Sequence, residues 1–146
     1  VPSKTSTSTT EIDVEDIEYI EKEEKIEEVS LEAVEFVPIY PGCENLETNL
    51  ARKNCFQENL KELITRNFDS QRMQPYAVSG INRISVQFTV DETGHITNIK
   101  TRAANPQLEK EAQRVINKIP TMQPGVKNGK KVKVFYGQPI LFKLDN

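Results

Sequence analysis

ISVQFTVDETGHITNIKTRA, residues 84–103, is the stretch on which the fold turns. Ile84, Val86, Phe88 and Val90 alternate with Arg83, Ser85, Gln87 and Thr89, the period of two that a strand with one buried face requires. Asp91-Glu92-Thr93-Gly94 then reads as a tight turn, with the aspartate accepting backbone donors at its start and the glycine supplying positive φ at its end. The chain returns as HITNIKTR, residues 95–102, so the expectation is a β-hairpin.

Downstream the apolar period lengthens. Asn105-Pro106 offers an N-cap followed by the residue best tolerated at the first helical position. Leu108, Ala112, Val115, Ile116 and Ile119 form a helical stripe, with Glu109 and Glu111 early and Arg114 and Lys118 late, as the helix dipole favours. Pro120 is expected to stop this helix. Turns follow at Pro124-Gly125 and Asn128-Gly129. The last segment alternates again: Val132, Val134, Tyr136, Ile140, Phe142 and Leu144 share the even face, while Lys131, Lys133 and Lys143 share the odd face with Phe135 and Leu141. One strand could span both halves. Pro139 lacks an N–H, which excludes a fully paired central strand there and implies a sheet edge or a bulge.

Upstream, Phe56, Leu60, Leu63 and Ile64 make one apolar stripe of a helix expected from about Asn54 to Arg66, with Asn54 as its cap. Asp69 to Gly80 is polar and reads as a connector. VPIYPGC, residues 37–43, must run extended and then turn, and marks the entrance to the folded region. Before it, Glu11 to Glu35 holds twelve acids against Lys22 and Lys25, whereas Phe36 to Asn146 carries sixteen basic and ten acidic residues. In the acidic stretch helical and strand periods conflict and self-repulsion opposes compaction, so a solvated spacer is expected, preceded by the Ser/Thr-rich VPSKTSTSTT. The organisation read from this is a flexible acidic tail, 1–36, and one folded domain, 37–146. Its class is α+β: a ββαβ unit with an antiparallel sheet and an additional N-terminal helix.

Several function classes find no support. The basic residues of the body are scattered through amphipathic segments without a recognition motif, so solvated faces explain them better than nucleic-acid binding does. No run of eighteen apolar residues and no basic-apolar leader occurs, so neither a membrane span nor a signal peptide is expected in these residues. His95, the one histidine, follows a turn glycine and is expected to be an exposed strand residue. With Cys43 and Cys55 it does not complete a four-ligand metal site, and no loop has calcium-type spacing. Glu109 and Glu111 fall on different helix faces and do not pair as acid and base. No catalytic residue and no cofactor is expected. Cys43 and Cys55 could be a disulfide or two free thiols. Without a CxxC or a thiolate-activating neighbourhood, a structural disulfide is favoured over a redox pair.

At VPIYPGCEN (37–45), NCF (54–56), ISVQFTVDETGHITNIKTRA (84–103), LEKEAQRVINKIP (108–120), MQPGVKNGKKVKV (122–134) and PILFKL (139–144), the chain resembles the TonB C-terminal family in its flavobacterial-type form. The order Pro75-Tyr76-Ala77, and Asn82-Arg83 without a preceding family glycine, depart from the pattern and affect the connector. The resemblance implies a periplasmic energy transducer that is not an enzyme. It implies an inner-membrane anchor outside these residues, motor partners of the ExbB/ExbD type, and a domain that grips the TonB box of outer-membrane transporters. The residues that would pair with that peptide are Val132, Lys133, Val134, Phe135, Tyr136, Gly137, Gln138, Pro139, Ile140, Leu141 and Phe142, on the expectation that the final strand borders the sheet with main-chain groups to spare. On the residues alone, the same edge could simply be blunted against aggregation by Lys131, Lys133, Lys143 and Pro139. Rival readings are an adaptor or sensory domain behind a membrane sensor or peptidase, and a module that dimerises by strand exchange.

Overall fold

A computed structural model describes residues 26–144. The expected tail therefore lies mostly outside the described residues. Nine elements run in the order β1 (Glu28–Ser30), α1 (Asn49–Asn67), α2 (Ser70–Met73), β2 (Gly80–Val90), β3 (Ile96–Arg102), α3 (Pro106–Ile116), β4 (Gly125–Lys127), β5 (Lys130–Gly137) and β6 (Ile140–Leu144), with one 3₁₀ turn at Gln74–Tyr76. The class is α+β, as expected: one sheet of six strands with helices packed on a single face.

The expected hairpin forms the spine. β2 and β3 pair antiparallel around Asp91, whose carboxylate accepts from the amides of Thr93 and His95 at 2.9 and 3.0 Å. Burial pushes this carboxyl up, but those bonds and the Thr93 hydroxyl outweigh it and hold it below the usual range. His95 is exposed and bonds Thr93 through Nδ1 at 2.8 Å. The β2–β3 register slips once, between Gln87 and Thr89, where Asn98 adopts φ 52°. This is the conformation of a bulge residue, and Asn tolerates it better than most residues do.

Along its other edge β2 pairs with both β5 and β6, and in one register: Gln87 opposes Gly137 and Ile84 opposes Ile140, so the numbering continues unbroken across Gln138-Pro139. The final segment is thus one long strand with a local interruption at Pro139, as its alternation suggested. Ile84, Val86, Phe88, Val132, Val134, Ile140 and Phe142 all face the core. Phe56 of α1 packs there on Tyr136 and Phe88 with ring centroids at 5.5 and 6.4 Å, and Phe68 packs on Phe142 at 5.6 Å. Such aromatic contacts add about 0.5–1.5 kcal/mol each beyond the area they bury.

Helix boundaries differ from expectation at the solvent ends. α1 begins at Asn49 rather than Asn54, because Thr48 supplies the cap: its Oγ1 accepts the Ala51 amide at 3.0 Å. Leu50 in that first turn is exposed, so the apolar stripe could not mark the start. α3 has Asn105 as N-cap and Pro106 at its first position, as read from the sequence, and ends at Ile116, ahead of Pro120. The connector contains the short helix α2, and β2 starts already at Gly80.

Packing also reaches further toward the N-terminus than the composition suggested. Glu28–Ser30 join the sheet as β1, parallel to Lys133–Phe135 of β5, and Leu31 and Val34 are buried. The fold therefore takes in chain ahead of Val37.

Candidate functional site

The proposed peptide-pairing residues, Val132 to Phe142, lie together on one side of β2 along the β5–β6 strand. Which main-chain groups they offer follows from the hydrogen bonds. The Lys133 amide donates to Glu27 O at 2.9 Å, and Phe135 O accepts from the Leu31 amide at 3.0 Å, so odd-numbered residues of β5 face away from β2. Even-numbered ones face toward it, as the Gln138 amide shows by donating to Val86 O at 2.9 Å. The register persists into β6, so Gly137, Pro139 and Leu141 also direct their main chain outward. Pro139 thus sits where its missing N–H breaks no internal rung, which is how a strand this long tolerates it.

Only half of this outer edge is open. Over Lys133–Phe135 it carries β1. The expectation of a sheet border from Lys131 onward is corrected here: β5 is flanked by β2 on one side and β1 on the other. The reason is that the stretch Glu27–Leu31, read as solvated because of its acids, carries Val29 and Leu31 in strand alternation, lies opposite Lys133 of its partner strand β5, and pairs Glu27 with Lys127 of β4. That alternation was the available signal, and the run of acids masked it. Past Leu31 the chain turns away, with the amides of Ala33 and Val34 donating to Ser30 O. From Gly137 to Leu144 no strand among the described residues covers the edge.

This open half borders a groove of about 480 Å³, walled by Gln138–Phe142 on one side and by Lys61, Ile64, Thr65 and Phe68 of the α1 end on the other. The buried Asn82 and the half-buried Tyr136 hold it in shape. Asn82 accepts the Val78 amide through Oδ1 at 2.9 Å and donates through Nδ2 to Val78 O and Phe142 O, tying the entry to β2 against β6. Tyr136 donates its hydroxyl to Gln138 Oε1 at 3.0 Å and accepts from Gln57 Nε2 at 3.1 Å, fixing the strand at its interruption. Burial raises the Tyr136 phenol above the usual tyrosine value, so it remains a neutral donor.

Glu111 was read only as an acid placed early in its helix, where the dipole favours it, and its role was missed. Its carboxylate is 0% exposed and accepts from Arg72 Nη2 (2.5 Å), from Arg114 Nε and Nη2 (2.9 and 2.6 Å) and from the Asp69 amide (2.8 Å). Desolvation opposes its charge, but the bonds from Arg114 and the Asp69 amide, with the two guanidinium charges, hold its pKa below the usual range. The network pins the connector, and hence the groove's Phe68 wall, to α3. It contains no nucleophile and serves structure.

Cys43 and Cys55 form a disulfide with Cα atoms 6.2 Å apart, tying the VPIYPGC turn to α1. Among the described residues no cluster of His, Cys, Asp and Glu could hold a metal ion, and no helix is long and apolar enough to cross a membrane.

The domain is thus a small α+β fold that, among the described residues, leaves part of a long strand edge open beside a groove. Residues 82–144 match the family described as Gram-negative bacterial TonB protein C-terminal, so this stretch of the chain is similar to that domain. The family is transport-associated and non-catalytic, and as part of TonB it belongs to the periplasm of Gram-negative bacteria. No curated protein matches the chain.

Proposed function

We propose that this domain is the periplasmic, energy-transducing end of an envelope transport system. It binds the TonB box of outer-membrane transporters by β-strand addition along Val132–Phe142. In doing so it passes on mechanical work derived from the inner-membrane proton motive force, for nutrient uptake. An N-terminal inner-membrane anchor and ExbB/ExbD-type motor proteins complete the system. The observation that carries this reading is the outer edge of the final strand, uncovered by any described strand from Gly137 to Leu144 and lined there by a groove, on a stretch that matches the TonB family. Outward N–H and C=O groups give affinity for an extended backbone with modest demand on its sequence, as one domain serving several transporters requires. Load applied along paired strands is shared among several hydrogen bonds, so a held peptide can be pulled before it lets go.

Backbone NMR titration of the chain with a TonB-box peptide tests this. Shifts should concentrate on the outer edge of β5–β6 and on Ile64, Thr65 and Phe68. Shifts spread evenly over the domain, or none at millimolar peptide, would remove the docking proposal.

A further inference from the structure

The outer edge of the final strand is not uniform, and its better half is the one already taken. A guest strand needs alternate residues that present both N–H and C=O. Lys133, Phe135 and Gly137 form an unbroken series of such residues. The next outward position is Pro139, which can accept but not donate, and beyond it the series resumes at Leu141. β1 occupies Lys133 and Phe135, so a strand confined to the open half finds complete residues only on either side of a gap.

β1 is held in a way that permits exchange. It is three residues long, with Glu28 exposed and Val29 and Ser30 half-buried. Its flanking ion pairs, Glu27 with Lys127 and Glu32 with Lys53, lie at the surface. Surface pairs of this kind contribute little. Leu31 and Val34, by contrast, are buried immediately after it, and the Ala33 and Val34 amides fasten that turn to Ser30 O. The segment ahead of Leu31 can therefore peel from β5 while the rest of the fold keeps its anchor.

We infer that β1 is an exchangeable internal strand which occupies the continuous half of the docking edge until an incoming extended peptide takes its place. This rests on the docking reading above and adds its regulation. The internal strand also states the chemistry of its replacement. It is a parallel strand with acidic residues at its leading end, where Glu27 meets Lys127 and Glu28 lies opposite Lys133, followed by an apolar residue opposite Val134. A domain closed in this way binds more weakly than its edge allows, by the fraction of time the edge stands open.

The test uses the full chain with a TonB-box peptide as probe, following amide hydrogen exchange and affinity together. At saturation the Leu31 amide, bonded to Phe135 O in the free protein, should lose protection, while the Lys133 amide should exchange Glu27 O for the peptide and stay protected. Val29→Pro removes an N–H from β1, and the double variant Glu27→Lys/Glu28→Lys repels it from Lys127 and Lys133. Each should tighten peptide binding about tenfold, with buried Val34 as the check that the fold persists. A Leu31 amide still protected at saturation, or equal affinity in wild type and both variants, overturns strand exchange and leaves docking on the open half intact. Failure of the peptide to bind any of the three proteins overturns the docking reading itself, and this inference with it.

Discussion

Replacing Gly94 by alanine tests how the hairpin turn is locked to the rest of the domain. Gly94 has φ 87°, and a Cβ built there would lie 1.7 Å from Met122 O. The Met122 amide donates to Gly94 O at 2.9 Å, and Met122 is buried, so the segment ahead of β4 cannot shift freely. The left-handed conformation alone costs alanine about 1–2 kcal/mol. Displacing Met122 adds about 1 kcal/mol for the strained or broken hydrogen bond and about 1–3 kcal/mol for overpacking. Gly129 provides the control, because its φ of 74° carries the same conformational cost while an added Cβ meets nothing within 4 Å. Urea unfolding followed by circular dichroism should therefore show a loss of about 1–2 kcal/mol for Gly129→Ala and of about 3–6 kcal/mol for Gly94→Ala. In thermal melts the second variant should fall below the first by roughly 10 °C. Equal losses in the two variants would refute the steric lock at Met122 and reduce Gly94 to an ordinary turn residue.

The buried Glu111 should make stability depend on acid pH. Its folded pKa is depressed, so its contribution is present above the ordinary glutamate value of about 4.3 and is lost as pH falls through the folded value. Glu111→Gln should cost about 1.5–3 kcal/mol at pH 7 and flatten the wild-type decline below about pH 4.5; parallel pH profiles for both proteins would contradict this. Reducing the Cys43–Cys55 bond, which closes a loop between positions 12 apart, should lower unfolding stability by on the order of 3 kcal/mol, read by urea titration with and without a thiol reductant. An unchanged midpoint would show that the loop is already constrained without the bond.

Local chemistry was enough to read the spine of this protein. Alternation in Ile84–Val90, the Asp91–Gly94 turn, the Asn105-Pro106 cap and the even-numbered apolar series from Val132 to Leu144 each specify their element through contacts a few residues apart. They agree with one another, so the hairpin, α3 and the long final strand were all legible. The first turn of α1 was not, because a cap and an exposed Leu50 leave no mark in an apolar stripe.

What only the tertiary structure decided is which edge of the final strand stays open. Strand partners are chosen by long-range pairing, and β1 meets β5 across about a hundred residues of chain, with the ion pair Glu27–Lys127 spanning the same distance. A run of acids looks solvated until the lysines it will face are brought beside it. Glu111 shows the same limit: nothing near it in sequence announces Arg72, which completes its burial from 39 positions away. The residues by themselves determined that a long final strand exists and where its proline lies; folding determined that half of its outer edge is already paired.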